Sequence, residues 1–434
     1  MSVRLLEGDC RETLRGIASD SIDSCVTDPP YALVSIVKRF GALNAAPARG
    51  NEAYMRASAG FTGQQWDTGE CAMSPAFWAE VWRVLKPGAF LVAFGATRGY
   101  HRMACAIEDA GFEIRDSLAW LYGTGFPKSH NVSKGIDKAA GVRGHDSHRF
   151  NVAGLGAGYK YKYKSNGGSK FRSDHPDYVK PTGITSQAAE WDGWGTALKP
   201  AFEPIVLARK PLSEPTVAAN VLRWRTGALN IDASRIGLAD GEQPYSYPNG
   251  AGGSDPNHMW RGQKKGDGQV PQSGNANGRW PANVCHDGSA EVVEAFPQSA
   301  GQQGVVDGQT SRRNVYNNGV GPRPRAEPRG DSGSAARFFY SAKASKADRA
   351  GSKHPTVKPV SLMQWLARLT TPPGGTVLDP FAGSGTTGAA CALEGFNAIL
   401  CEREAQYVAD IKRRLNLQMP WDAPPKTPFP WNTP

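Results

Sequence analysis

No stretch of the 434 residues approaches the ~18 consecutive apolar residues that a membrane-spanning helix needs. The N-terminus, Met1 to Glu7, carries charge where a secretory signal would be oily, so neither a membrane nor export is expected. Cysteine is sparse: seven residues, at 10, 25, 71, 105, 285, 391 and 401, odd in number and scattered. None forms a Cys-x-x-Cys pair, which excludes a disulfide framework and a zinc knuckle as readings and leaves no metal site to expect. Reduced thiols in a cytoplasm are the expectation. No internal repeat and no endonuclease motif is visible. Hydrophobic residues at 40% and charged residues at 21% supply a packed core and exclude a wholly disordered chain.

The formal charge is +10, and its distribution is uneven. Residues 123–350 hold 30 basic and 20 acidic residues, while the remainder holds 20 of each. A basic segment between two neutral flanks points to a polyanionic partner. The same segment is glycine-rich: 32 of the 50 glycines fall between 123 and 345.

The flanks alternate short apolar strands with amphipathic helices. Before residue 122 the pattern predicts strands over 3–6, 24–27, 89–94 and 114–122, and helices over 10–17, 74–85 and 100–110. Residues 32–70 show no period and read as a long surface loop. After 345 it predicts helices over 361–369, 386–393 and 405–415, and strands over 376–378 and 397–401. Neither flank completes a sheet alone. Together they predict one α/β domain with a Rossmann-like, mostly parallel sheet, interrupted by a large insertion. The expected segments are 1–122, an insertion over 123–345, a second half over 346–418 and a disordered proline-rich tail over 419–434. One strand inside the insertion, 202–208 with its end near 210, is expected to join the sheet.

Two strand ends carry chemistry. Asp28-Pro29-Pro30-Tyr31 follows a strand and must turn, because consecutive prolines continue neither a central strand nor a helix interior. The prolines remove backbone donors, leaving carbonyl oxygens and the Asp28 carboxylate as acceptors beside an aromatic face. That set suits a planar group bearing an amine; a rigid turn with a packed tyrosine is the other reading. The second is Asp379-Pro380-Phe381-Ala382-Gly383-Ser384-Gly385-Thr386-Thr387, between a strand and a helix. Glycines there let the backbone approach a ligand at a helix N-terminus. Glu402, 17 residues past Gly385 at the next strand end, is spaced to hold ribose hydroxyls.

Together these motifs resemble the N6-adenine/N4-cytosine amino-methyltransferases of DNA, which use S-adenosylmethionine. Asp28-Pro29-Pro30-Tyr31 is similar to that family's catalytic signature. The segment 379–387 looks like its cofactor motif, and His354-Pro355-Thr356-Val357-Lys358-Pro359 resembles the stretch that precedes it. Catalytic motif first and cofactor motif last is the order of the family's beta class. The resemblance implies that Asp379, Phe381, Gly383, Ser384, Gly385 and Thr386 line the cofactor, that Glu402 holds its ribose, and that Lys358 and His354 close the pocket, with a surface lysine and a histidine at the entry of the 361–369 helix as the other readings of the last two. It also places Asp9 near the cofactor adenine, though Glu12 three residues later reads equally as a capping box. Trp66-Asp67 is similar to a recurrent family pair or is a packing tryptophan. The implied partners are double-stranded DNA and, as an option, a second copy of the chain; the insertion would recognise the target.

The implied chemistry is physically coherent. An exocyclic amine is a poor nucleophile, since its lone pair is delocalised into the ring. Asp28 and the Pro29 carbonyl would draw it toward tetrahedral geometry, with Tyr31 stacked on a base flipped from the duplex. Asp28 favours N6 of adenine, because N4-cytosine members more often begin the motif with Ser. N4 of cytosine, an inactive DNA-binding relative, and RNA or protein amide methylation are the alternatives. Cytosine C5 methylation fits poorly, since it needs a thiolate, typically in a Pro-Cys pair, and the chain has no Pro-Cys. Lys160, Lys162 and Lys164 alternate with Tyr159, Tyr161 and Tyr163, a pattern that in an extended strand puts the lysines on one face toward phosphates.

Overall fold

The computed structural model describes residues 2–31, 71–123, 125, 129–142, 185–238, 278–299, 332–342 and 346–416. The loop 32–70 with Trp66-Asp67, the Tyr/Lys alternation at 159–164 and the tail 419–434 lie outside the described residues.

The strands are β1 (Val3–Glu7), β2 (Ile22–Thr27), β3 (Leu85–Phe94), β4 (Glu113–Leu121), β5 (Phe202–Arg209), β6 (Val284–His286), β7 (Gln298–Ser299), β8 (Gly333–Ser334), β9 (Tyr340–Ser341), β10 (Thr376–Asp379) and β11 (Asn397–Glu402). Nine of them form one sheet in the order β1-β11-β10-β2-β3-β5-β4-β6-β9, and β7 pairs with β8 apart from it. Every pairing in the large sheet is parallel except the two made by β5, which runs antiparallel between β3 and β4. The N-terminal and C-terminal flanks therefore interleave in one mostly parallel sheet, as the alternating pattern predicts.

The helices of this body are α1 (Cys10–Thr13), α2 (Pro75–Val84) and α3 (Tyr100–Asp109), then, past two helices of the inserted unit, α6 (Val217–Trp224), α7 (Ala290–Ala295), α8 (Val360–Thr370), α9 (Thr386–Glu394) and α10 (Ala405–Arg414). Alternate residues of the central strands feed two cores, as a strand's period of two requires. Val26, Phe90, Val92 and Phe94 pack with Trp365, Leu366 and Cys391 on one face. Cys25, Leu91 and Ala93 pack with Phe77, Trp78, Val81 and Ile107 on the other. Ser74 caps α2 by accepting the Phe77 N–H, with Pro75 in its first turn.

Two local outcomes differ from the sequence pattern. The helix 10–17 is only one α-turn, continued by a 3-10 turn over Leu14–Gly16. Lys86-Pro87-Gly88 ends α2 as expected, yet it lies inside β3, which starts at Leu85 rather than at 89. Gly88 has φ +82°, and a Cβ there would lie 2.4 Å from Asn220 Nδ2. Asn220, on α6, is fully buried; its amide donates to the carbonyls of Pro87 and Thr226 and its oxygen accepts the Ser213 N–H.

The segment 123–345 is not of one kind. β5, β6 and β9 belong to the large sheet. A separate compact unit spans Thr124–Ala201. Within it, α4 (Val132–Ala139) and α5 (Ser186–Glu190) pack together, and buried Asp137 accepts both the N–H and the hydroxyl of Thr185. No helix among the described residues is long and apolar enough to cross a membrane.

Replacing Asn220 by Ala leaves two buried carbonyls without this donor and one N–H without its acceptor. We expect thermal melting to show a loss of about 2–3 kcal/mol, with activity per folded molecule unchanged.

Candidate functional site

All the strand ends that bear motif residues lie on one edge of the sheet. The parallel strands β1, β2, β4, β10 and β11 deliver their C-terminal ends there, and antiparallel β5 delivers its N-terminal end. Adjacent β10 and β2 lead the chain outward in opposite directions, the topological switch point at which open α/β sheets bind ligands.

A buried carboxylate joins the two motifs across that point. Asp379, at the end of β10, accepts the Thr27 hydroxyl at 2.7 Å from β2, the Thr387 hydroxyl at 2.5 Å from α9 and the Phe381 N–H at 3.0 Å. Burial pushes its pKa up to about 6 against the pull of these donors. Asp379 thus accepts three donors from the protein, at least one on each oxygen.

The loop after β10 is built by glycine. Gly383 has φ +52° and Gly385 φ +79°, conformations L side chains rarely adopt. A Cβ on Gly383 would lie 3.2 Å from His354 Nε2; one on Gly385 would lie 3.0 Å from Ile411 Cγ1. Gly385 therefore keeps room for α10. Ser384 and Thr386 are buried and receive hydrogen bonds from Arg414, whose guanidinium also donates to the Asp348 carbonyl. Phe381 packs against Phe77. His354 lies edge-on to Tyr407, and burial lowers its pKa.

Glu402, at the end of β11, accepts the N–H groups of Gly383, Arg403 and Glu404 at 2.8–2.9 Å. Burial nonetheless pushes its pKa up to about 7. Gly8 donates to the Glu402 carbonyl, which brings Asp9 to the neighbouring strand end. Asp9 caps α1 through the Arg11 N–H and pairs with the Arg11 guanidinium, so the capping role is present, with Arg11 rather than Glu12 as partner.

A second cluster surrounds Asp28. Lys358 Nζ lies 2.8 Å from Asp28 Oδ2, 2.9 Å from the Tyr31 hydroxyl and 3.0 Å from Glu203 Oε2. The Tyr31 hydroxyl donates to Glu203 at 2.9 Å. The ammonium lies against the rings of Phe94, Tyr31 and Trp120. Burial disfavours its charge, but the two carboxylates outweigh burial and raise its pKa. Burial likewise raises Tyr31 well above its ordinary value and pushes Tyr122 up to about 12. Asp28 Oδ1 is buried and has no hydrogen-bond partner among the described residues.

Sequence reasoning brought Asp28, Pro29, Pro30 and Tyr31 to one strand end and Asp9, Asp379, Gly383 and Glu402 to its neighbours. Lys358 falls with Asp28 rather than with the glycine loop. Glu203, Trp120, Tyr122 and Arg414 carried no motif. Glu203 is the carboxylate at the start of the one strand foreseen in the insertion, a position whose place at the sheet edge became readable only once β5 ran antiparallel.

Among known proteins, this chain is 37% identical over 71 residues to the Type II methyltransferase M2.LlaDCHI of Lactococcus lactis subsp. cremoris, covering 16% of this chain and 26% of that protein. It is 44% identical over 69 residues to the Type II methyltransferase M.HinfI of Haemophilus influenzae, covering 16% and 19%. The matched stretches thus span about a quarter or less of these curated relatives. The solved PvuII DNA methyltransferase (cytosine-N4-specific) aligns with 95% of this chain and 86% of its own at 14% identity and a TM-score of 0.41. The N6/N4 DNA methylase family profile matches residues 22–413, nearly the whole of the interleaved fold, and the chain belongs to that family.

Proposed function

We propose that this chain transfers a methyl group to the exocyclic amine of a flipped DNA base, N6 of adenine, at the Asp28 cluster. The observation that carries the reading is Asp28 Oδ1, a buried acceptor with no partner among the described residues. Such an atom costs about 1–3 kcal/mol unless something donates to it, and an amine N–H of a bound base would. Asp28 Oδ2 is held by Lys358, so one oxygen of the carboxylate is tied to the protein and the other is left for such a donor. The Pro29 carbonyl is a second acceptor at the same strand end. Tyr31, its hydroxyl tied to Glu203 and Lys358, offers a ring face against which a base stacks.

The residues at the neighbouring strand ends suit S-adenosylmethionine. That cofactor, when bound, supplies a methyl already activated by the positive charge on sulfur. A carboxylate offers about four acceptor sites, and Glu402 uses three on backbone N–H groups, leaving one for a ribose hydroxyl. Asp9 stands at the adjoining strand end as an acceptor for an amine. Gly383 keeps side chains out of the crevice between them. Asp379, through Thr27 and Thr387, positions both halves. Double-stranded DNA is the partner, and the basic segment 123–350 would track its phosphates.

Mass analysis of nucleosides from DNA incubated with the purified protein and S-adenosylmethionine tests the assignment. N6-methyladenine is expected; N4-methylcytosine would move the target to the other amine, and no methylated nucleoside would remove the activity. Asp28→Ala should abolish transfer while cofactor affinity by calorimetry stays within about twofold. A parallel fall in affinity would take Asp28 out of the base site.

Glu402 adds a pH signature. Its carboxylate form accepts the ribose hydroxyl, so cofactor affinity should rise with pH through about 7 and level off above it, changing at most tenfold per unit below. Stability of the free protein runs the other way. The folded pKa of about 7 exceeds the unfolded 4.5, so Glu402's contribution is fully present below 4.5 and is lost as pH rises through 7, by ~3 kcal/mol at most. Glu402→Gln should flatten both profiles, and unchanged profiles in that variant would assign the titration elsewhere.

A further inference from the structure

We propose that Glu203 is a positioning residue that keeps Asp28 Oδ1 available to the target amine, by drawing away the two protein donors that would otherwise reach it. The inference rests on the base-site reading above and names a residue outside every motif of the chain.

An ammonium has three hydrogens, and Lys358 finds three acceptors: Asp28 Oδ2, the Tyr31 hydroxyl and Glu203 Oε2. The Tyr31 hydroxyl has one hydrogen, and it goes to Glu203. Every hydrogen on Lys358 and on the Tyr31 hydroxyl is therefore matched, and Glu203 takes one from each, while Trp120 Nε1 in the aromatic wall is a buried donor with no partner among the described residues. Asp28 and that same tyrosine hydroxyl both lie against Lys358 Nζ, at 2.8 and 2.9 Å. Lys358 is enclosed by three aromatic rings and is only 6% exposed, so water is a poor substitute acceptor. Without Glu203, the tyrosine proton and the third ammonium hydrogen would lose their acceptor. The nearby buried side-chain acceptor without a partner among the described residues is Asp28 Oδ1. A donor settled there would occupy the lone pair that the amine must use, and would do so before any base arrived.

Backbone geometry favours this arrangement. Glu203 pairs with Trp120 across β4 and β5, and its strand neighbour Phe202 pairs with Leu121. The carboxylate is set by sheet register rather than by a loop, so its distance to Lys358 is held by the same ladder that holds the aromatic wall.

The test compares single-turnover methyl transfer, at saturating cofactor and DNA, in the parent and four variants of the full chain. Glu203→Met keeps side-chain volume and removes the acceptor; the rate should fall roughly 10- to 100-fold, the range for losing a charged hydrogen-bond partner, with cofactor affinity unchanged. Glu203→Gln keeps an acceptor for Tyr31, and its rate should stay within about fivefold of the parent. Tyr31→Phe keeps the ring and removes the competing hydroxyl. The double variant Glu203→Met/Tyr31→Phe removes one of the two competing donors and should therefore be faster than Glu203→Met alone, while staying slower than Tyr31→Phe. A residue with only a structural role would not be rescued by a second deletion. A Glu203→Met rate equal to the parent's, a Gln variant as slow as Met, or no recovery in the double variant would each overturn the proposal. If Glu203→Met does not fold, the Gln variant and its Tyr31→Phe combination decide: a Gln rate far below the parent's overturns the proposal, and a rate near it supports it. Failure of the parent protein to methylate DNA would instead bring down the base-site reading itself.

Discussion

One buried carboxylate ties the two motifs together. Asp379 spends both oxygens on Thr27, Thr387 and the Phe381 N–H. Thr27 is the residue before Asp28, and Thr387 lies in the first turn of the helix that follows the glycine loop. Two segments 350 residues apart in sequence are thereby registered to a hydrogen-bond length. Methyl transfer asks for just this, since reactants must be held in line and close for the entropic part of the barrier to fall. The cost is visible in the raised pKa of Asp379: burial disfavours its charge, and three donors only partly compensate. A carboxylate in such a place is kept for the alignment it imposes, not for net stabilisation.

Around that tie the cluster at Asp28 is a problem in counting donors. Two carboxylates, one ammonium and one phenol sit behind aromatic rings, where an unmatched donor or acceptor is expensive. The ammonium and the phenol find acceptors for all their hydrogens, whereas Asp28 Oδ1 has no donor among the described residues, and it is there that the proposed base amine would bind. On that proposal, selectivity for an amine over a carbonyl follows. An amide oxygen at the same point would face the carboxylate acceptor-to-acceptor, with no hydrogen between them.

How much of this could be read from the chain depends on the kind of signal each residue emits. Strands and helices of the flanks were legible because burial on both faces leaves long apolar runs, as in Ala89 to Phe94, and because α2 and α8 repeat apolar residues at helical spacing. Asp28 to Tyr31 and Gly383 to Gly385 were legible because proline and glycine restrict the backbone in ways no other residue does. Glu203 emitted no such signal. A carboxylate one residue into a strand looks the same whether it faces solvent or a buried lysine, and only the strand's direction decides. Lys358 was legible as part of a motif but not as a neighbour of Asp28, because sequence order places it beside the glycine loop. Asp379 was legible as a motif residue, but its position beside a ligand crevice says nothing about which way its oxygens turn. β6 and β9, of three and two residues, are too short to show any period, so the sheet's extension past β4 had no sequence counterpart.

The interruption of the domain follows from where the register is fixed. The chain leaves the sheet after Leu121 and returns at Phe202, and those two residues are paired across β4 and β5. The compact unit 124–201 is thus joined at a single point of the ladder, as a hairpin loop would be. Closing such a connection costs free energy that grows only logarithmically with its length, so a unit of this size leaves the eight-residue pairing of β4 with β5 intact. The two ends of that connection are also the ends of the strands that carry Trp120, Tyr122 and Glu203. The residues that shape the Asp28 cluster therefore owe their positions to the sheet, whatever the sequence inserted between them, and the length and composition of the insertion are free to change without altering the chemistry at the strand ends.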